Sequence, residues 1–347
     1  MKIPDDFVLI FKAVCGSRLY GTNTSESDYD IRGVFIPSTD YIFGLKKVEQ
    51  LEDNKNGNDN VCYEIRKFVK LAADCNPNII ELLFINPDNV NCLKFTDIWS
   101  EIYNNSHLFV SKKARWTFYG YVNSQLKRIE HHRNWLLNPP TKKPVRSDFG
   151  LPDKELISSG QIKCFNLILS EYLKKILNPF KNQIEELEKY YDMPKVVQNI
   201  DDKYLHAIST VIDASDNFIE AVYKEKAYNS ALKYWNQYIN WQKNRNPIRA
   251  ELEKKYGYDC KHASNLVRLV YEAEELLMNG YITFPRPEAD LLVDIRNGLW
   301  SYNELIDFSE KIYEKFNILY EKSPLPHKPN FEKINKMLLS ILFNKIK

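Results

Sequence analysis

Two kinds of chemistry meet in the stretch Gly16 to Gly33, GSRLYGTNTSESDYDIRG. It opens on the pair Gly16-Ser17 and, after a ten-residue gap, carries the carboxylates Asp28 and Asp30 on either side of Tyr29. Alternate residues of a strand project to one face, so Asp28, Asp30 and Arg32 are expected to share a side, with Tyr29 and Ile31 on the other. Two carboxylates about 7 Å apart on one strand face repel each other unless a cation lies between them. The ion suited to such hard oxygen donors is magnesium, which also takes up phosphate oxygens. Gly16 lets the backbone approach closely, and Ser17 offers a hydroxyl and an amide at a helix start, which makes a cradle for phosphate. A phosphate cradle beside a metal-binding carboxylate pair points to nucleotidyl transfer. Ser17 would hold the β/γ-phosphates of a nucleoside triphosphate, with Arg18 as charge support. Arg32 would either contact the triphosphate or neutralise Asp30. Gly-Ser alone is a common turn, and Asp-x-Asp alone a common exposed strand; the offset between them carries the reading.

This combination resembles the signature of the DNA polymerase β nucleotidyltransferase superfamily. Two further stretches, DNVCYEIRKFVKLAADCNPNIIELLF (Asp59 to Phe84) and YGYDCKHASNLVRL (Tyr256 to Leu269), resemble blocks of one branch. That branch is the bacterial and phage group described as RNA-repair-pathway, RNA-ligase-associated nucleotidyltransferases of the polymerase β type, and the likeness spreads over most of residues 8 to 310. The resemblance implies a magnesium-dependent enzyme, with two ions, that moves a nucleoside monophosphate from a triphosphate to an acceptor hydroxyl. It implies an RNA acceptor, such as a broken or processed tRNA-like end, and an RNA ligase as a partner. It also implies a third carboxylate on a neighbouring strand. Asp59 and Glu64, at either end of the strand around Val61, are the candidates. Asp59 ranks first because it lies at an acid position of the resembling block, whereas Glu64 can equally pair with Arg66 or Lys67. The implied catalytic and metal set is Asp28, Asp30 and Asp59, with Glu64 as the alternative. The implied nucleotide set is Gly16, Ser17, Arg18, Arg32, Lys261 and Arg268.

The elements that must position these residues follow from periodicity. Residues 7–15 suit a buried strand, 18–22 a short helical turn and 29–36 the carboxylate strand, ended by Pro37. Residues 45–52 and 61–65 suit further strands around a solvated loop at 53–60, and 66–74 an amphipathic helix. Asn76-Pro77-Asn78 caps a short helix that buries Ile79, Ile80, Leu82 and Leu83. Glu81 reads as structural. From Ser106 onward long helical periodicity takes over, at 107–137, 154–177, 181–191, 201–241, 260–279, 301–322 and 330–346, with a Pro-marked loop at 138–153. The fold class is α+β: a small mixed-sheet nucleotidyltransferase domain of polymerase β type over 1–105, then a mostly helical domain over 106–347 for nucleotide and acceptor binding.

The 347 residues carry a net charge of only +2, unevenly spread. Residues 1–105 hold 11 Lys/Arg against 16 Asp/Glu, and the remainder 37 against 30. Between Ser106 and Asp148 nine basic residues face only Glu130 and Asp148. An acidic half beside a basic half suits a metal-dependent enzyme acting on a polyanion. Lys112, Lys113, Arg115, Lys127, Arg128, His132 and Arg133 are the candidate RNA contacts, with Trp116, Phe118, Tyr119 and Tyr121 either stacking bases or forming core. Lys261 and Arg268, seven apart, would present one cationic helix face opposite Leu266, Val267, Leu269 and Val270, or a merely solvated one. His262 reads as a structural histidine or, less readily, a general base. The His131-His132-Arg133 cluster has no third metal ligand at a suitable spacing, and the six scattered cysteines form no finger pattern, so zinc and a disulfide framework are both set aside. No apolar run approaches the roughly 20 residues of a membrane span, and the expected location is the cytoplasm. Two rival readings keep the fold. One transfers the nucleotide to a protein hydroxyl, as in AMPylation. The other is a non-catalytic RNA-binding adaptor, which retention of both aspartates argues against.

Overall fold

The computed structural model describes residues 3–25, 27–53, 59–158, 160–164, 167, 171, 175, 215–245 and 247–344. The chain falls into two compact units, one of Met1–Leu136 with Pro247–Lys347 and one of Leu137–Asn246. The first unit is built on five strands: β1 (Val8–Cys15), β2 (Asp30–Ile36), β3 (Gln50–Asp53), β4 (Asn60–Glu64) and β5 (Cys92–Phe95). Their order is β3-β4-β2-β1-β5. β1 pairs antiparallel with both β2 and β5, β3 pairs antiparallel with β4, and β2 runs parallel to β4. This is the mixed sheet expected of the α+β class. The antiparallel register sets Cys15 opposite Asp30, which brings the Gly16-Ser17 turn to the start of the carboxylate strand.

Helices α1 (Ser17–Tyr20), α2 (Thr39–Ile42), α3 (Ile65–Ala73), α4 (Pro77–Ile80) and α5 (Asp97–Asn104) connect the strands or follow them. The amphipathic pattern of α3 is realised: Ile65, Phe68, Val69, Ala72 and Ala73 are buried. Asn76 caps α4 by accepting from the Asn78 amide, with Pro77 at the first turn, and Ile79, Ile80, Leu82 and Leu83 are buried as the sequence requires. Trp99 of α5 stacks on Phe11 of β1 at 4.2 Å between ring centres, closing one side of the sheet.

The same unit contains α6 (Ala114–Leu137) up to Leu136, then α8 (Pro247–Tyr256), α9 (Cys260–Asn279), α10 (Ala289–Arg296), α11 (Tyr302–Glu310), α12 (Ile312–Lys322) and α13 (Phe331–Asn344). The helix expected over 301–322 is therefore two, divided at Lys311. Helix α9 is buried on nearly every side: Ala263, Leu266, Val267, Leu269, Val270, Ala273, Leu276 and Leu277 all lie in the core. A helix apolar around most of its circumference belongs inside a unit. The segment after it grips α1: the Arg286 amide donates to Tyr20 O, Arg296 to Thr22 O, and a Cβ at Gly21 would lie 3.0 Å from Pro285.

The second unit is described through α7 (Asp216–Asn244) and the turn over Arg146–Phe149. There Arg146 clasps the buried Glu225 with both terminal nitrogens, at 2.9 and 2.6 Å. The guanidinium's hydrogen bonds hold the Glu225 carboxyl below its ordinary range, more than offsetting its burial. The helix expected over 181–191, part of that over 154–177 and the first part of that over 201–241 lie outside the described residues. Among the described residues no helix is long and apolar enough to cross a membrane.

Candidate active site

Gly16 follows β1 with φ 65° and ψ −145°, a conformation close to glycine-only territory. A Cβ there would sit 2.7 Å from Asp30 Oδ2, so the missing side chain is what lets the turn lie against the carboxylate. Gly16→Ala is expected to cost about 1–3 kcal/mol of stability through backbone strain and to displace Asp30, which denaturant titration of the variant would measure. Ser17, half-buried, is the first residue of α1, and Gly16 O accepts from the Tyr20 amide at 3.0 Å.

Arg18 holds the loop that carries the first aspartate. Its NH2 donates to Ser27 O at 2.7 Å, its Nε to Asp28 O at 3.3 Å, and its guanidinium stacks on the Tyr29 ring at 3.7 Å. The loop is thereby fixed by its backbone, leaving the Asp28 residue exposed. Because β2 begins at Asp30, Asp28 precedes the strand, and the alternation argument applies only to Asp30 and Arg32.

The two candidates for the third carboxylate, Asp59 and Glu64, stand in different surroundings. The Asp59 amide lies 3.4 Å from Asp30 Oδ1, and Arg32 NH2 donates to Asp59 Oδ2 at 2.6 Å while its NH1 reaches Asp59 O. Arg32 thus pairs with Asp59, a correction to the expected pairing with Asp30. Burial opposes the Arg32 charge, and the bond to Asp59 outweighs it, so its pKa is raised. Glu64 sits opposite Phe35, five residues further along β2 and so about 16 Å from Asp30. Its carboxylate accepts from the Arg66 and Lys67 amides and from Arg66 Nε, capping α3. Asp30 and Asp59 are brought together; Glu64 is not.

Arg268 requires a second correction. It does not lie on a cationic helix face but is buried in α9, bound to both Glu272 oxygens at 2.7 Å, 3.8 Å from Glu81 Oε2 and 4.1 Å from the centre of the Tyr20 ring. The Tyr20 hydroxyl donates to Glu81 Oε2 at 2.9 Å. Burial, then the neighbouring Glu272 charge, push the Glu81 carboxyl up to about 7, with Arg268 pulling the other way. Glu81 is structural, as expected, and the cluster underpins α1 through Tyr20. Lys261 lies half-buried one residue into α9.

The basic helix is also less open than its composition implies. Arg115 is buried, donates to Asn317 Oδ1 at 2.6 Å and covers the Trp116 ring. Lys113 pairs with Asp74 at 2.6 Å, Lys112 lies over the Tyr320 ring, and Arg133 donates to Gly257 O at 2.6 Å. Lys127 and Arg128 are exposed. The aromatics take the core alternative: Phe118 is buried, Tyr119 packs on Phe316, and the Tyr121 hydroxyl accepts from Asn76. His132 is not surface-bound either; it meets Asp259 and His262, supplying the third group that chain spacing failed to offer.

The donor set at Asp28, Asp30 and Asp59 suits magnesium. All three are hard carboxylates, Asp28 and Asp59 are open to solvent, and the Arg32 guanidinium pairs with Asp59. Residues 2–143 match the family model described as RlaP, RNA repair pathway DNA polymerase beta family. The chain is also 23% identical, over 88% of its length and 88% of the relative's, to a phage T4 protein described as an uncharacterized 38.9 kDa protein in the nrdC-mobD intergenic region. No solved structure matches the chain. The matched segment, residues 2–143, carries the Gly16-Ser17 turn and all three aspartates, so the part of the chain that is similar to the RNA repair pathway DNA polymerase beta family is the part that holds the candidate site.

Proposed function

We propose that this protein is a magnesium-dependent nucleotidyltransferase that moves a nucleoside monophosphate from a nucleoside triphosphate to the hydroxyl of an RNA end. The observation that carries this reading is the Asp30 carboxylate set between the side-chain-free Gly16 turn and Asp59. Asp28, Asp30 and Asp59 would hold magnesium, which supplies charge neutralisation of the leaving pyrophosphate and activation of the acceptor hydroxyl. Ser17 binds the triphosphate through its hydroxyl and amide, at the turn that Gly16 lets lie against Asp30. Arg18 orients the Asp28 loop, and Arg32 holds Asp59 by a salt bridge beside Asp30. Arg268 acts as a positioning residue, holding Tyr20 and hence α1. Catalysis belongs to residues 1–105. The helices after Ser106 complete the nucleotide and acceptor sites, with Lys261, Lys127 and Arg128 as phosphate contacts. An RNA ligase that seals the modified end is the partner this reaction calls for, and the cytoplasm its setting.

One observation favours a second acceptor. With Lys113, Arg115 and Arg133 engaged internally, fewer cations remain for RNA than the sequence offers, which suits a protein hydroxyl. Transfer from each α-labelled triphosphate, with magnesium, into separated RNA and protein fractions distinguishes the two. Label in RNA is expected. Label in protein alone moves the acceptor to a side chain, and salt-sensitive RNA binding without any transfer would make the protein an adaptor.

A further inference from the structure

Helix α6 and the start of α9 bring three ligating side chains to one point: His132, Asp259 and His262, whose donor atoms all lie within 4.8 Å of one another. Asp259 Oδ2 is 3.6 Å from His132 Nδ1 and 3.5 Å from His262 Nε2. These separations exceed a direct N–H···O bond, which runs to about 3.2 Å. They match instead the edges of a tetrahedron, about 3.3–3.6 Å, around an ion with ligand bonds near 2.0–2.2 Å. The side chains are largely withdrawn from water, with 14% of each histidine and 5% of the aspartate exposed.

The surroundings orient each donor. Asp259 is the N-cap of α9, and its Oδ1 accepts from the His262 amide at 3.0 Å, so the carboxylate is fixed with Oδ2 toward both rings. His262 Nδ1 lies 2.9 Å from Gln125 Oε1, a carbonyl oxygen that can only accept. Nε2 is the ring nitrogen that faces Asp259. A ring nitrogen held by an outer carbonyl while the other points inward is the support that metal-bound histidines use. The Trp135 ring stacks on His132 at 5.4 Å and fixes that ring from the other side. Two imidazole nitrogens and a carboxylate oxygen within 4.8 Å of one another are a donor set that one divalent cation can take.

We propose that His132, Asp259 and His262 bind one divalent transition-metal ion of the zinc class, tying α6 to the N-terminus of α9. Two imidazoles select a borderline-soft ion over magnesium, and three protein ligands leave a fourth position for water or a substrate oxygen. This site is independent of the aspartate site and of the reaction proposed for it.

Cobalt(II) is the probe. The full-length protein, stripped with chelator, is titrated with cobalt and then zinc while visible absorption and bound metal are measured. One equivalent of cobalt is expected, with the intense visible bands of four-coordinate geometry, displaced by zinc and not by excess magnesium. Gln125→Leu should weaken binding about 10–100-fold. Asp259→Asn keeps an equally good helix cap while removing the charge, so weakened binding there does not reflect a lost cap. The Asp28→Asn/Asp30→Asn variant should bind cobalt as the wild type does, which separates this site from the nucleotidyl-transfer reading. Absence of stoichiometric uptake by the wild type overturns the proposal. So does equal uptake by a His132→Gln/His262→Gln variant of unchanged circular dichroism, or displacement by magnesium.

Discussion

Asp30→Asn is expected to lower nucleotidyl transfer by roughly a thousand-fold or more, the scale of several kcal/mol of lost transition-state stabilisation. Asp30 is the carboxylate from which the site radiates: Gly16 lies against its Oδ2, and the Asp59 amide approaches its Oδ1. Asparagine preserves the shape and one carbonyl oxygen but removes the charge on which a hard divalent ion depends. Asp30 is only half-buried at the start of β2, so thermal unfolding of the variant should stay close to that of the wild type. Asp59→Asn should have a smaller effect, because Arg32 already neutralises that carboxylate in part. Pyrophosphate release at saturating triphosphate checks both variants against their melting curves.

Arg268→Met is expected to destabilise the protein by about 3–5 kcal/mol at pH 8, the cost of leaving buried charge without its partner. Glu272 and Glu81 are both buried, and Arg268 is the cation between them. Burial raises the pKa of each acid, Glu81 to about 7 from an ordinary 4.5. A group whose folded pKa is raised contributes stability that is fully present below the unfolded value and is lost as pH climbs to the folded one. For Glu81 that window runs from about 4.5 to about 7, over which on the order of 3 kcal/mol is lost. The Arg268→Met variant should therefore recover part of its deficit at pH 5, where the acids hold protons. Glu81→Gln keeps an acceptor for the Tyr20 hydroxyl and should flatten the decline between those pH values. Urea unfolding at pH 5 and pH 8 measures each term. A pH-independent deficit in Arg268→Met would show that lost packing, and not charge, sets its stability.

The contrast between these two sites explains what the sequence could tell. The Gly16-to-Gly33 stretch is local: one antiparallel register joins the turn to Asp30, and strand alternation and turn chemistry are short-range rules. The sheet and the helices α3, α4 and α9 were legible for the same reason. Arg268 was misread because its cationic partner Lys261 lay seven residues away, whereas the relevant neighbour was Glu272 one turn on. The apolar residues surrounding it in α9 were the signal that the helix is buried, and a buried arginine needs an acid. His132 and Asp259 are separated by most of the helical region, and no spacing rule reaches that far. The only local trace of their meeting was Asp259 three residues before His262, which reads first as a helix cap. Short β5 and the one-turn helix α2 escaped notice because so few residues cannot establish a period.

The central claim is that Asp28 and Asp30 serve a metal-dependent transfer of nucleotide. Its most direct measurement sets the wild type beside Asp28→Asn/Asp30→Asn, with α-labelled triphosphate, RNA acceptor and magnesium, and repeats the reaction with chelator. Label entering the acceptor only with the wild type, and only with free magnesium, is the predicted result. Undiminished transfer by a folded double variant would contradict the account, as would wild-type transfer that persists in chelator.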